Sequence, residues 1–175
     1  MLAGFLVKNS QTLTFEKLMK LLSLSLLTFL LLPFMAFAQD VELPDALSEV
    51  DWSAYGVDPS NVQVTESGLH YIIKEEGEGK TPEAGQTVVA HYSGYLPNGN
   101  KFDSSVDRGQ PFTFPLGQGR VIRGWDEGFG LFPVGTKALL IIPPELGYGS
   151  RGAGSAIPPN SFLLFDVELL GIAEG

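Results

Sequence analysis

Few residues in this chain of 175 are of the types that usually carry enzymatic chemistry. There is no cysteine, which excludes disulfides, thiolate nucleophiles and zinc-thiolate sites. His70 and His91 lie in predicted strands without a spacing that gathers metal ligands, so no metal site is expected. Ser104, Ser105 and Ser150 lack the Gly-x-Ser-x-Gly turn of a serine nucleophile. Hydrolysis by a nucleophilic side chain is therefore not predicted.

The glycine-rich stretch at residues 116–119 does not have the pattern of a nucleotide-binding loop. Ile122 stands where a dinucleotide fingerprint needs its third glycine, and no Gly-Lys-Ser/Thr follows. We therefore interpret the stretch as a turn, and no cofactor is expected.

The remaining candidates are aromatic and aliphatic residues with few polar groups among them. They are Tyr92, Phe102, Asp103, Phe112, Val121, Ile122, Trp125, Tyr148, Ile157 and Phe165. A second set alternates along predicted strands, as a buried face does, and is interpreted as core. That set is Phe114, Leu140, Ile142, Leu163, Val167 and Leu169. For the first set, pattern alone leaves open whether the residues are core or the lining of a pocket.

The elements that must position these residues are short strands and one helix. After Val62, β-branched and aromatic runs are divided by glycine and proline, which predicts an antiparallel sheet. Predicted strands cover residues 68–75, 87–96, 111–115, 136–142 and 162–170. Asn98-Gly99 is the preferred pair for a tight hairpin turn. Only residues 121–131 have helical periodicity, so the predicted fold class is α+β.

The N-terminal part predicts export. Lys20 precedes an apolar run at residues 21–38 that ends in Ala36-Phe37-Ala38, the layout of a cleavable secretory signal. We expect a signal peptide at residues 1–38, cleaved after Ala38, with Met19 as an alternative start. The competing interpretation is a membrane anchor formed by residues 21–38, because the run is close to the length that spans a bilayer.

Residues 39–61 are predicted to form an acidic tether before a domain at residues 62–173. The formal net charge of the chain is −9, and the first 38 residues carry more lysine than acid, so the remainder is distinctly acidic. Nucleic acid is therefore not an expected partner of the folded part, since phosphate binding needs clustered lysine and arginine. An anionic membrane surface is disfavoured for the same reason.

Four motifs follow one another with near-standard spacing. They read HYSGYLPNGNKFDSS, PFTFPLGQGRVIRGWDEG, IIPPELGYG and IPPNSFLLFDVELL. Together they resemble FKBP-type peptidyl-prolyl cis-trans isomerases over about residues 62–172. The resemblance implies a five- or six-stranded antiparallel sheet curled around one short helix, with a ligand pocket between helix and sheet.

The resemblance also implies roles for the first set of residues. Asp103, Tyr148 and Ile122 are the expected catalytic group, with Arg108 as an ion-pair partner of Asp103. The expected substrate-binding residues are Tyr92, Phe102, Phe112, Val121, Trp125, Ile157 and Phe165. The backbone N–H of Ile122 and the hydroxyl of Tyr148 are expected to donate hydrogen bonds to carbonyl groups. Expected ligands are proline-containing segments of folding proteins, and macrolides as a second class.

Two departures from the family pattern concern packing. Ala153, Ala156 and Leu146 replace larger or aromatic side chains, which predicts a smaller loop over residues 149–157. Leu139 and Ile141 alternate with Leu140 and Ile142 and should face outward, where relatives frequently carry polar residues. We expect this apolar stripe to be covered by the segment around Trp52 and Tyr55; a dimer contact or an exposed client surface are the alternatives.

The function predicted is acceleration of the folding of exported proteins by twisting X-Pro amide bonds, in the periplasm or after secretion. Two other interpretations stay open. One is a binding module that holds proline-containing or unfolded clients. The other is a domain anchored to the membrane by an uncleaved apolar segment.

Overall fold

The computed structural model describes residues 43–173, and the predicted signal peptide lies outside these residues. Seven strands and one α-helix are present within residues 43–173. The strands are β1 (Gln63–Val64), β2 (His70–Glu75), β3 (Thr87–Tyr95), β4 (Lys101–Ser104), β5 (Phe112–Pro115), β6 (Lys137–Ile142) and β7 (Leu163–Ala173), and the helix is α1 (Arg123–Gly128). Short 3-10 turns cover Asp45–Leu47, Trp52–Tyr55, Pro59–Asn61, Pro144–Leu146 and Gly149–Arg151.

All strands join one antiparallel sheet in the order β1-β2-β6-β7-β3-β4, and β5 also pairs with β3. The nine-residue β3 pairs with β7 along its whole length. On its other side, β3 pairs first with β5 and then with β4. The first half of β3 thus lies between β5 and β7, and its second half lies between β4 and β7.

The hairpin between β3 and β4 forms at the predicted Asn-Gly turn. The N–H of Leu96 donates to the carbonyl of Asn100 at 2.9 Å. Gly99 has a φ of +82°, a backbone conformation that glycine adopts without the steric cost of a side chain. The turn thus brings Phe102 and Asp103 back beside the end of β3.

The inner core lies between the sheet and α1. Trp125 of the helix and Phe129, which directly follows it, pack with side chains from β6 and β7. All the residues predicted as core from strand alternation belong to this cluster. Close helix–sheet approach depends on Gly124, because a Cβ at this position would lie 2.7 Å from the Ile142 side chain. The helix therefore lies close to the sheet, with Trp125 buried between them.

A second apolar cluster covers the outer face of the same sheet. Leu139 and Ile141 of β6 are fully buried there. They pack with Ile72 and Leu164 and with residues of the N-terminal segment, namely Leu47, Val50, Trp52, Tyr55, Val57 and Val62. This confirms the prediction that the segment around Trp52 and Tyr55 covers the apolar stripe. Over residues 43–62, the segment predicted as a tether is thus packed against the sheet by apolar side chains.

The fold class predicted from the sequence is confirmed, and the element bounds differ in detail. The helix is six residues long instead of the eleven predicted, because the chain turns at Gly130 and Pro133. The sheet has seven strands, two more than the five predicted from the pattern. The additional strands are β1, which is only two residues long, and β4, which lies directly after the hairpin turn. Within residues 43–173, no helix has both the length and the apolar character needed to cross a bilayer.

Candidate active site

An open pocket of about 410 Å³ lies between α1, the sheet and the loop at residues 149–157. Its size falls in the range of small-molecule and peptide side-chain pockets. All ten residues singled out from the sequence line it. They are Tyr92, Phe102, Asp103, Phe112, Val121, Ile122, Trp125, Tyr148, Ile157 and Phe165. The whole set thus lines the pocket, and the roles of the individual residues stay predictions.

The pocket floor is the indole of Trp125, which is 4% exposed. Tyr92 and Phe165 contact it edge-on, with ring centroids 4.8 and 5.1 Å away. Phe112 and Phe114 lie at 5.8 and 5.6 Å. Such edge-to-face rings add to the energy of burial and fix each other's orientation. The floor is consequently a rigid apolar surface.

The side wall depends on a glycine in β3. A Cβ on Gly94 would lie 2.6 Å from the ring of Phe102 and 2.7 Å from that of Phe165. These two rings meet edge-to-face at a centroid distance of 5.5 Å. A larger residue at position 94 would separate the two rings, so this glycine gives the wall its shape.

The carboxylate of Asp103 is the acidic group of the pocket, and its oxygens are already engaged. One oxygen accepts the hydroxyl of Tyr92. The other pairs with the guanidinium of Arg108 and accepts the N–H of Ser104 at 2.8 Å. Arg108 also donates to the Tyr92 hydroxyl at 3.0 Å. Burial acts to raise the pKa of Asp103, but the hydrogen bonds from Tyr92 and Arg108 outweigh it and the pKa is lowered.

Several donors that line the pocket have no acceptor within residues 43–173. The backbone N–H of Ile122 stands free at the start of α1, where the first helical amides lack intrahelical partners. The indole N–H of Trp125 is buried without a partner in the same part of the chain. The Tyr148 hydroxyl likewise has no hydrogen bond among the described residues, and its side chain is 41% exposed.

Tyr148 keeps its proton at neutral pH. Burial raises its pKa, and the negative charge of Asp103 raises it further. The pKa of Tyr92 is also raised, first by burial and then by its hydrogen bond to Asp103. Both phenols therefore act as hydrogen-bond donors, Tyr92 to Asp103 and Tyr148 to a ligand, while both oxygens of the carboxylate already accept bonds from the protein. The polar part of the lining offers donors to a ligand, and the rest is apolar.

The upper side of the pocket is the loop that follows Tyr148. Ala153 and Ile157 form an isolated antiparallel bridge, with backbone hydrogen bonds of 2.9 and 3.1 Å. Ile157 is buried by this bridge and faces the pocket together with Ala153 and Ala156. The short alanine side chains leave the mouth on this side open, in agreement with the expected smaller loop.

Three lining residues lie outside the ten predicted ones: Ala153 and Ala156, which the sequence singled out only as small side chains of the loop, and Arg120. Arg120 directly precedes Val121 and Ile122 in the chain, so its position beside two predicted pocket residues was the only available signal. The hydrogen bond between Tyr92 and Asp103 was also not predicted, because nothing in the local pattern distinguishes this tyrosine from a core residue.

Comparison with known proteins decides the family. The sequence profile of the FKBP-type peptidyl-prolyl cis-trans isomerases matches residues 78–170, which is more than half of the chain. The chain belongs to the FKBP-type peptidyl-prolyl cis-trans isomerase family. The predicted family and the predicted enzyme class are thereby confirmed.

Relatives of this FKBP-type chain differ in length. A probable FKBP-type peptidyl-prolyl cis-trans isomerase of Haemophilus influenzae is 54% identical over 112 residues, which cover 64% of this chain and 46% of the relative. An FK506-binding protein of Neisseria meningitidis serogroup A is 56% identical over 100 residues, covering 57% of this chain and 92% of that protein. The chain thus spans less than half of the first relative and nearly all of the second.

A solved structure supports the same assignment. The crystal structure of FkpA from Escherichia coli is 43% identical and has a TM-score of 0.61, with 69% of this chain and 55% of that chain covered. The sheet and helix described above therefore agree with the matched part of the FkpA structure.

Proposed function

We propose that the pocket catalyses cis-trans isomerisation of X-Pro bonds, with Asp103, Tyr148 and Ile122 at its polar end. The observation that carries this is the polarity of the lining, which combines apolar walls, the unused donors of Ile122 and Tyr148, and a carboxylate whose two oxygens already accept bonds from the protein. A prolyl segment has the complementary character, because proline has an apolar ring and a carbonyl but no N–H. Its carbonyls can take up the free donors without leaving a donor of the proline unpaired.

The energetics of the reaction suit such a pocket. Rotation about the X-Pro bond crosses a barrier of about 18 to 20 kcal/mol because it breaks amide resonance. The planar amide is the more charge-separated form, so removing it from water favours the twisted geometry. A thousandfold acceleration requires only about 4 kcal/mol. Desolvation over the Trp125 floor and a few hydrogen bonds worth about 1 kcal/mol each are of that size.

Each polar residue would contribute in a different way. The Ile122 N–H is held by the backbone at the start of α1, so it would fix one substrate carbonyl without loss of side-chain entropy. The Tyr148 hydroxyl would hold a second carbonyl at the open side. Asp103 would reach toward the twisting amide and also keeps Tyr92 and Arg108 in place. The seven other lining residues would bind the proline ring and its neighbours.

An isomerisation assay on the purified chain tests this proposal. Magnetisation exchange by NMR follows a Xaa-Pro peptide without a coupling protease. We expect strong acceleration by the wild type and a loss of at least about tenfold in kcat/KM for Asp103→Val, since a polar group at the reaction site is removed. Asp107→Val is the matched control, because Asp107 lies in the same turn but pairs with Lys101 outside the pocket.

Each outcome has a clear meaning. A folded wild type without activity would overturn the isomerase assignment and favour a binding module for proline-containing clients. Equal losses in Asp103→Val and Asp107→Val would show that the turn matters as a structure and that Asp103 has no special role. Circular dichroism and thermal unfolding of all three proteins establish that the comparison is made between folded states.

We also propose that the clients are exported proteins in the periplasm or outside the cell. The support is the predicted signal peptide at residues 1–38, with Ala36 and Ala38 before the cleavage site. N-terminal sequencing of the protein recovered from the producing cell tests this. A mature chain that begins at Gln39 supports export, whereas an intact apolar segment in the membrane fraction supports the anchored form.

A macrolide is the second ligand class we propose for the same pocket. Its support is the aromatic lining and the name of the Neisseria relative, an FK506-binding protein. Titration of tryptophan fluorescence with FK506 tests it, because Trp125 forms the pocket floor. Absence of any change in the Trp125 emission, with Trp52→Phe used to remove the other tryptophan, would overturn this part of the proposal.

A further inference from the structure

Two charged side chains line the pocket, Asp103 and Arg120. They differ in whether an opposite charge lies beside them. The charge of Asp103 is compensated by the guanidinium of Arg108. Arg120 is exposed and has no ion-pair partner within residues 43–173. The uncompensated charge of the pocket lining is therefore positive.

An uncompensated positive charge is unusual on the surface of this protein, because residues 43–173 contain twice as many acidic as basic side chains. Four of the eight basic side chains there are held in ion pairs, those of Lys74, Lys101, Arg108 and Lys137. The other four are Lys80, Arg120, Arg123 and Arg151. The three arginines all lie close in sequence to pocket residues.

The three arginines differ in their position relative to the pocket. Arg120 and Arg123 bracket Val121 and Ile122, which line the pocket. Arg151 lies in the 3-10 turn Gly149–Arg151, directly after Tyr148. All three arginines are exposed. Of the three, only Arg120 lines the pocket, so it is the cationic side chain that a ligand there would meet.

The loop that carries Arg120 is fixed by a carboxylate. Asp126 of α1 accepts the backbone N–H groups of Gly117 and Gly119, each at 2.9 Å. These bonds hold the chain just before Arg120 against the helix, so the side chain starts from a defined backbone. The negative charge of Asp126 also reduces the local positive potential, which limits the size of the effect expected from Arg120.

We propose that Arg120 makes the pocket favour X-Pro segments that carry an acidic side chain next to the proline. This proposal rests on the isomerase function proposed above and names a class of substrate for it. A guanidinium has only donors to offer and matches the geometry of a carboxylate. Because Arg120 lies at an exposed rim, the pair is screened by water and salt, and we expect a preference of about threefold.

The test compares peptides that differ only in charge. Two pairs are used, with glutamate or glutamine immediately before the proline and immediately after it, and kcat/KM is measured by NMR exchange on the purified chain. Glutamine has the length of glutamate, so the Glu/Gln ratio isolates the charge. For the wild type, we expect a ratio of about three in at least one pair at about 20 mM ionic strength, falling toward one at about 0.5 M.

Variants assign the preference to one side chain. Arg120→Gln should bring the Glu/Gln ratio to about one, and Arg120→Glu should invert it. Because the readout is a ratio, a general loss of activity in these variants does not affect it. Lys80→Gln is the matched control, since Lys80 is exposed and without an ion pair among the described residues but does not line the pocket. It should leave the ratio unchanged.

The outcomes separate this proposal from the proposed function. A wild type that is inert on all four peptides overturns the isomerase function itself. Activity with equal rates for glutamate and glutamine at low salt overturns only the substrate preference. A preference that survives in Arg120→Gln, or that disappears equally in Lys80→Gln, shows that Arg120 is not its source and overturns the proposal.

Discussion

The two faces of strand β6 bury neighbouring side chains in different ways. Leu140 and Ile142 point to the inner core, beneath α1 and the pocket. Leu139 and Ile141 point to the outer face, beneath the N-terminal segment. All four are fully buried. Burial alone therefore does not distinguish the face that binds from the face that only packs.

The difference lies in what covers each face. The outer cluster is closed by apolar side chains of a segment that comes before the first strands in the chain. The inner face is covered only partly by α1, which is six residues long, so an opening remains beside Trp125. Free donors line this opening, at Ile122 and Tyr148. A short helix over a wide sheet leaves a binding site, whereas a long covering segment leaves none.

Removal of the N-terminal segment should have the largest effect on stability, because this segment covers the outer face of the sheet. A chain beginning at residue 62 would expose Leu139, Ile141 and Leu164 to water. We expect it to lose more than about 4 kcal/mol of unfolding free energy or to aggregate, because several apolar side chains lose their cover at once. Urea unfolding followed by circular dichroism measures this.

A chain beginning at residue 43 is the control for that truncation, since it keeps the whole outer cluster. We expect it to unfold at the same urea concentration as the full chain. If the chain beginning at residue 62 were equally stable, the segment would be a passive tether, and the domain boundary predicted at residue 62 would be the physical one.

Leucine-to-alanine changes on the two faces give a finer comparison. Leu139→Ala and Leu140→Ala each remove a fully buried side chain and should each cost about 3 kcal/mol. A sheet with a solvated outer face would lose far less from Leu139→Ala. Only Leu140→Ala should also lower kcat/KM, because Leu140 packs against α1 at Gly128 and the helix carries Trp125. A large activity loss in folded Leu139→Ala would show that the outer cluster shapes the pocket.

The sequence predicts the inner face better than the outer one, for a physical reason. Alternation along β6 and β7 identifies Leu140, Val167 and Leu169 as core, because a strand places every second side chain on one face. The same alternation predicts that Leu139 and Ile141 lie opposite. The residues that cover them lie about 90 positions upstream, and no local sequence pattern links two segments so far apart. The signal for this contact was the presence of Trp52 and Tyr55 in a segment with few other apolar residues to pack against.

The pocket shows the same limit at the level of single residues. The family resemblance identifies Asp103 and Tyr148, together with Arg108 as the ion-pair partner of Asp103. Tyr92 was predicted as a wall, yet its hydroxyl is bound to Asp103 across two strands. Arg120 was not predicted because an exposed arginine in a glycine-rich loop is ordinary in sequence. Only the folded loop, held by a carboxylate of α1, places it at the pocket.

Tyr148→Phe should have a smaller effect on stability and activity, and it tests one hydrogen-bond donor of the pocket. It removes a hydroxyl without a protein partner among the described residues, so the free energy of unfolding should change by less than about 0.5 kcal/mol. The substrate would lose one hydrogen bond of about 0.7 kcal/mol, which corresponds to about threefold in kcat/KM. Tyr71→Phe is a matched control, because the Tyr71 hydroxyl bonds Gln63 away from the pocket. A loss of a hundredfold or more would instead indicate proton transfer by Tyr148.

The pH profile should show the smallest effect, because the pKa values of the carboxyl group and the two phenols of the pocket are shifted away from neutrality. The pKa of Asp103 is lowered and those of Tyr92 and Tyr148 are raised. The stability that ionised Asp103 contributes is present above its unfolded pKa and is lost only as the pH falls through its lower folded pKa. We therefore expect kcat/KM to be constant within about twofold from about pH 5 to about pH 9. A bell-shaped profile within that window would mean that a general acid and base take part in the reaction, and the twisting of a desolvated amide would then be an incomplete description of how the inner face works.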